Sequence, residues 1–253
     1  MSSLSKIVVA LFCAAILSQA AATTERPLHF GFSAAGSYIG IWHLDDEVLV
    51  KKETDTNDDG SHFYREQSLT GGHDLKGVGG SVGVSGLWDF ARNFQLHTDL
   101  YISLRYRFVN ATEHHKKITT YEDGTVKNDR GSKGTYDISL KYWHIDFPVS
   151  VRYTLPSEFF VEAGAFASYI ISANLKIKLI SLDFQSYAAG MELGTIAGFG
   201  KTFDITETKR LEIFSRFIFG LTPLLNDRVK KYLYDRIRPR EWLLQAGATF
   251  YLF

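Results

Sequence analysis

Glu241-Trp242-Leu243-Leu244-Gln245-Ala246-Gly247-Ala248-Thr249-Phe250-Tyr251-Leu252-Phe253 decides how this chain is read. One parity carries Trp242, Leu244, Ala246, Ala248, Phe250 and Leu252, all apolar. The other carries Glu241, Gln245 and Thr249, with Tyr251 and Phe253 at the end. Successive side chains of a strand point to opposite faces, so this is a strand with one face made for hydrocarbon. A soluble sandwich would set that face against a second sheet. The layout of the rest of the chain argues for a different partner.

Residues 94 to 108 show the same period of two most cleanly. Phe94, Leu96, Thr98, Leu100, Ile102, Leu104, Tyr106 and Phe108 share one face, while Gln95, His97, Asp99, Tyr101, Ser103, Arg105 and Arg107 share the other. A helix would scatter those charges around its axis. Trp143 to Tyr153 repeats the pattern, with His144, Asp146, Pro148, Ser150 and Arg152 on the polar parity. Just before it the alternation flips, because Ile138, Leu140 and Tyr142 form the apolar set, which predicts a bulge or a membrane boundary there. Weaker examples fall at 28–42, 75–90, 159–172, 187–203 and 211–222. Together with the terminal strand they make eight.

The connections alternate as well. Segments 91–93, 155–158 and 204–210 are short, whereas 43–74, 109–135, 173–186 and 223–240 are long and polar. Short turns at one end and long loops at the other mark a transmembrane barrel. Within the longest loops, Glu122-Asp123-Gly124-Thr125 reads as a turn tipping an extended hairpin beyond the membrane. Lys6 followed by the apolar run Ile7 to Leu17 and small residues up to Ala22 reads as a secretory signal peptide, so residues 1–22 are set apart and 23–253 form the barrel domain. The apolar run is too short to span a bilayer as a helix. Cys13, the one cysteine, lies within that leader, so the processed chain has no thiol for a disulfide or a cysteine-ligated metal. Lys+Arg and Asp+Glu are both 28, and loss of Lys6 leaves one acidic charge in excess. That balance offers no basic surface for nucleic acid.

The expected fold is therefore all-β: a transmembrane antiparallel up-and-down β-barrel of eight strands, with long extracellular loops and short periplasmic turns. Inside hydrocarbon every backbone N–H and C=O must be paired, so strands survive there only when closed into a ring. All four tryptophans lie on the apolar parity: Trp42, Trp143 and Trp242 at the loop side, Trp88 at the turn side. Tyr106, Tyr169 and Tyr187 would join the outer aromatic girdle, and Phe90, Phe94, Tyr153 and Phe203 the inner one. Facing the apolar parity outward sends His97, Asp99, Arg105, Arg107, His144, Asp146, Arg152, Glu162, Glu192, Glu212 and Arg216 inward. Eight strands enclose room for side chains or one small ligand. These charges therefore read as a salt-bridged plug, or as a gated polar path in which one pair breaks.

Two further motifs bear on chemistry. Asp55-Thr56-Asn57-Asp58-Asp59-Gly60 followed by Glu66 matches the spacing of a calcium loop, with Asp55, Asn57, Asp59 and Glu66 as ligands and a short helix over Asp45 to Glu53 as a flank. The same residues also suit a solvated acidic turn. Calcium is the only cofactor the sequence suggests. A membrane-embedded hydrolase or acyltransferase would need a His, a Ser and a carboxylate converging at the rim. His43, His73 and His144 with Ser61, Ser68 or Ser139 supply the types, but no spacing singles out a set, and the protein is read as not an enzyme.

Two resemblances sharpen the assignment. Gln245, Gly247, Phe250, Leu252 and the terminal Phe253 resemble the polar-x-Gly-x-x-hydrophobic-x-hydrophobic signal that outer-membrane barrels display to their insertion machinery. Tyr142-Trp143-His144-Ile145-Asp146-Phe147-Pro148-Val149-Ser150-Val151-Arg152-Tyr153 is similar to the fourth strand of PorT-like outer-membrane barrels. Val161 to Tyr169 resembles their Gly-rich fifth strand, and Gly220-Leu221-Thr222 the end of the seventh. Asp146-Phe147-Pro148 departs from the family's simpler Ile-Pro pairing. The resemblance implies the outer membrane of a Gram-negative bacterium and no single activity, since the founding member serves a secretion system. It leaves open a scaffold or surface-binding role in an envelope or secretion assembly, a narrow porin-like channel for ions or small solutes, and a lipid-modifying enzyme. The partners expected are outer-membrane lipids, the barrel-assembly machinery, and an extracellular or envelope protein.

Overall fold

A computed structural model describes residues 28–42, 47–56, 61–70, 76–121, 123–177, 180–183, 185, 188–224 and 239–252. Eleven strands lie in this order: β1 (Leu28–Trp42), β2 (Glu47–Thr56), β3 (His62–Thr70), β4 (Lys76–Ala91), β5 (Phe94–Thr120), β6 (Val126–Thr154), β7 (Phe159–Ile177), β8 (Ile180–Asp183), β9 (Met191–Thr206), β10 (Lys209–Gly220) and β11 (Arg240–Tyr251). There is no helix among the described residues.

Eight of the strands close a ring. β1 pairs with β4, β4 with β5, β5 with β6, β6 with β7, β7 with β9, β9 with β10, β10 with β11, and β11 returns to β1, every pair antiparallel. A line across the ladder from Phe30 passes Gly86, Thr98, Val149, Ala165, Thr195, Phe219 and Trp242 and reaches β1 again at Gly40. That stagger tilts the strands by about 40° to the barrel axis, the geometry of small closed barrels. Tight links join β4 to β5, β6 to β7 and β9 to β10 at one end, and the Leu252 N–H bonds to Phe30 O at that same end.

Within the ring each of the eight strands obeys the alternation. Ile39, Leu87, Tyr101, Phe160 and Leu243 turn inward and are buried, whereas Phe32, Val82, Phe199, Ile213 and Leu244 lie exposed on the outer wall. The outer rings gather into two belts. At the turn end Trp88 meets Phe90, Phe90 meets Phe94, and Phe94 meets Tyr153. At the loop end Trp42 packs on Phe219, and Trp242 on Tyr38 and Phe217. Tyr187 lies outside the described residues.

Three details differ from the sequence pattern. β6 keeps one parity from Ile138 to Tyr153, so Tyr142 faces inward with His144, and the irregularity falls on β7, where Ile171 is skipped between Ser172↔Trp143 and Ile170↔His144. Residues 43–74, read as a loop with a short helix near its start, contain β2 and β3, a hairpin that joins the long β5–β6 hairpin above the barrel. β3 pairs along the extended edge of β5 and β2 pairs along β3, which explains strand over helix there. β8, which pairs with β7, lies in another segment read as loop.

Candidate functional site

The lumen holds every charged residue that the alternation sends inward. His97, Asp99, Arg105, Arg107, His144, Asp146, Arg152, Glu162, Glu192, Glu212 and Arg216 are all buried. They sort into two clusters that share no ion pair among the described residues.

The cluster nearer the turn end is a chain of alternating sign. Arg216 bonds Asp99 at 2.9 Å through Nη1 and Glu162 through Nε. Glu162 also accepts from Arg152 Nε at 2.9 Å, and Arg152 Nη1 reaches Glu212 at 2.5 Å. His97 stands 3.2 Å from Asp99 and 3.1 Å from Arg216 Nη2. Ser85 donates to Asp99 and Ser150 to Glu162, completing the acceptor sites of both carboxylates. Phe214 and Phe160 lie beneath the Arg216 and Arg152 guanidiniums, at 4.1 and 4.2 Å. Gly198 makes this packing possible, since a Cβ there would stand 2.9 Å from both Arg216 Cγ and Glu162 Oε1.

The cluster nearer the loop end centres on Arg105. Its Nη2 donates to both Asp146 oxygens at 2.8 and 2.9 Å, and its Nη1 lies 3.1 Å from Glu192 and 3.4 Å from Glu241. Arg107 bonds Glu241 and lies over the Tyr142 ring at 4.8 Å. Ser168 bridges His144 Nδ1 at 2.8 Å and Asp146 Oδ1. Between the clusters Ile39, Phe166, Ile196, Ile218 and Leu243 form an apolar layer.

An unpaired charge in a low-dielectric interior is costly, so each carboxylate is held by a guanidinium. Each cluster sets two arginines against three carboxylates, with one histidine beside them. Glu241 is a full member that the lumen list lacked, although it shares the parity of Gln245 and Thr249. Ser85 and Ser168 complete both aspartates. Their parity alone could have suggested it.

Other candidate residues fall elsewhere. Gln245 turns inward and its amide donates to Ser81, whereas Phe250 and Leu252 lie on the outer parity. Gly247 leaves room for the Phe214 ring, which would stand 2.7 Å from a Cβ. Phe253 lies outside the described residues. Asp55 lies opposite Phe63 and Glu66 opposite Lys52, three register positions apart on a hairpin, while Asn57 and Asp59 lie outside the described residues. Among the described residues no three His, Cys, Asp or Glu side chains gather as metal ligands. His144 meets Ser168, and Ser139 pairs instead opposite Phe108. His43 and His73 lie outside the described residues.

Above the barrel, polar contacts trim the hairpins. The Tyr136 hydroxyl donates to Glu113 at 2.8 Å, and this bond to a carboxylate raises the phenol above its ordinary pKa. Asp123 accepts the Thr125 N–H at 2.8 Å in the turn of the long hairpin, which holds its carboxyl below the usual range.

A greasy wall around a charged centre, on a sheet without edges inside the ring, is stable only in a bilayer. The chain is an outer-membrane-type β-barrel. No protein-family model matches it, and no curated protein matches it in sequence. Among solved structures it is similar to neisserial surface protein A, at 14% identity and a TM-score of 0.38 over 88% of this chain and 97% of that one. It is also similar to Ail, the attachment invasion locus protein of Yersinia pestis, at 9% identity and 0.33 over 88% and 97%. A third is the outer membrane protease OmpT of Escherichia coli, at 7% and 0.29 over 90% and 95%. Scores this low carry no argument of their own, and the assignment rests on the closed ring and the dressing of its two faces.

Proposed function

We propose that this is a non-enzymatic barrel of the Gram-negative outer membrane. Its plugged lumen makes a rigid stalk, and its extended hairpins present a binding surface to an extracellular or envelope partner. One observation carries the reading: Arg107, Arg152 and Arg216 are among the largest fully buried side chains, so the cylinder is filled with mutually paired charge. A lumen filled this way braces the wall and leaves its outer hairpins as the accessible part. The segments that resemble PorT-like barrels fall on the fourth, fifth and seventh strands of the ring, an order that agrees with that resemblance. Single-channel recording in planar bilayers tests the plug. Silence across a wide voltage range is expected, and steady conductance would replace this reading with that of a narrow channel.

A further inference from the structure

Above the membrane β2, β3, β5 and β6 form one sheet, and its register sorts charge onto two unlike faces. One row across the four strands reads Glu53, Arg65, Lys117 and Asp129. It is balanced: Arg65 Nη1 lies 3.8 Å from Glu53, and Lys117 stands opposite Asp129 with its ammonium 4.9 Å from the Phe63 ring. The next row, on the other face, reads Lys52, Glu66, Lys116 and Arg130. Three cations share it with a single acid. Lys116 is set directly opposite Arg130, and neither has a carboxylate partner among the described residues. Glu66 stands beside Lys116 only, two strands away from Arg130. Like charges directly opposed on one face destabilise a strand pair, so this pairing costs the sheet stability that an anion between the two would restore.

The neighbours of this pair determine what kind of anion fits. Arg130 is exposed and Lys116 half-buried. One row further from the membrane, Tyr64, Ile118 and Asn128 share the face. Nearer to it come Ser68 and His114, then Thr70 and Thr112, with Thr70 Oγ1 3.0 Å from His114 Nε2. Apart from Ile118 and the Tyr64 ring these are hydroxyl, amide and imidazole groups. A protein partner would want a deep apolar anchor, which such a face lacks. A sugar chain instead wants hydrogen-bonding groups, a ring to lie on, and cations for its sulfates or carboxylates. Arg130 can grip one such group through two parallel N–H bonds. The face shares the outward parity of Tyr106 and Phe108, and Lys116 lies roughly 25 Å beyond Phe108 along β5. A headgroup layer is only about 6 Å deep, so the pair clears the lipid and meets free solution.

We propose that this face binds an acidic polysaccharide from solution, a sulfated or carboxylated sugar chain laid across the strands with one anionic group between Lys116 and Arg130. The proposal rests on reading the hairpins as the partner-binding part of the molecule. The test is isothermal titration of the full chain, held in nanodiscs of phosphatidylcholine, with a heparin decasaccharide. Saturable binding is expected, and none of an uncharged dextran of the same length. K116Q/R130Q should weaken it about a hundredfold, from roughly tenfold per charge-assisted bond. Lys127 lies opposite Thr119 on the balanced face. K117Q/K127Q therefore removes the same charge from the other side, and should change the affinity by less than about threefold because salt screens exposed charges at a distance. Both variants should keep the heat-modifiable migration of the barrel. Absence of binding by the unaltered chain would overturn the proposal, as would equal weakening by the two variants. So would equal affinity for a polyglutamate decapeptide, which would assign the row to an acidic protein. Silent planar bilayers without sugar binding would remove this ligand and leave the rigid stalk standing, whereas steady conductance with sugar bound would do the reverse.

Discussion

β5 is one continuous strand of 27 residues built to two rules. From Phe94 to Phe108 its faces divide cleanly, apolar outward and charged inward. From Val109 to Thr120 no such division holds, and Glu113, His114, His115, Lys116 and Lys117 follow one another across both faces. Its backbone pairing with β6 runs through both halves. The difference comes from the surroundings: lipid demands hydrocarbon from one face, whereas water on both sides demands nothing of either. Strand formation is thus common to the two halves, and only the lower one carries a constraint strong enough to write itself into sequence.

The largest expected effect lies inside the lower half of the barrel. Arg216→Met strands Asp99 without a guanidinium and leaves Glu162 with Arg152 alone, and should cost about 3–5 kcal/mol in urea titrations of the protein folded into lipid vesicles. A loss below about 1 kcal/mol, the scale of an exposed pair, would mean that water reaches the cluster and that the lumen is not dry.

The contrast along β5 itself can be broken with one substitution at two heights. Ile102→Arg faces hydrocarbon and should destabilise by about 2–4 kcal/mol in the same titration. Ile118→Arg shares its parity but stands above the bilayer, and should stay within about 0.5 kcal/mol. Equal penalties at the two sites would erase the boundary drawn between Phe108 and Val109.

The smallest effect belongs to the tip of the hairpin. Because Asp123 has a depressed pKa when folded, its contribution is present above the ordinary carboxylate range and lost as pH falls through the folded value. The protection of the Thr125 amide, measured as its exchange rate against the intrinsic rate at each pH, should therefore fall on acidification, and Asp123→Asn should remove that pH response while leaving the titration midpoint of the barrel unchanged.

The same contrast explains what could be read in advance. All eight ring strands were legible because the bilayer enforces period two on each, and the inward charges followed from parity. β2, β3 and β8 were missed because their residues, such as Lys51-Lys52-Glu53 in β2, answer to water on either side. Partner choice in the lumen was illegible for another reason. Tilt and stagger bring Arg216 of β10 to Asp99 of β5 across the ring, and no local spacing records that meeting. Glu241 escaped the lumen list although its parity placed it there.

The seam between β1 and β11 pairs Gly31 with Tyr251 and Trp42 with Arg240, ends of the described chain that no local contact could bring together. Until β11 arrives, the other ring strands would form a curled ribbon with two raw margins, each ready to recruit a stranger. Biogenesis is thus a late, all-or-nothing event. A nascent copy must be kept from collapsing on its way to the membrane, and damage confined to β11 would leave a whole molecule unmade rather than one strand loose.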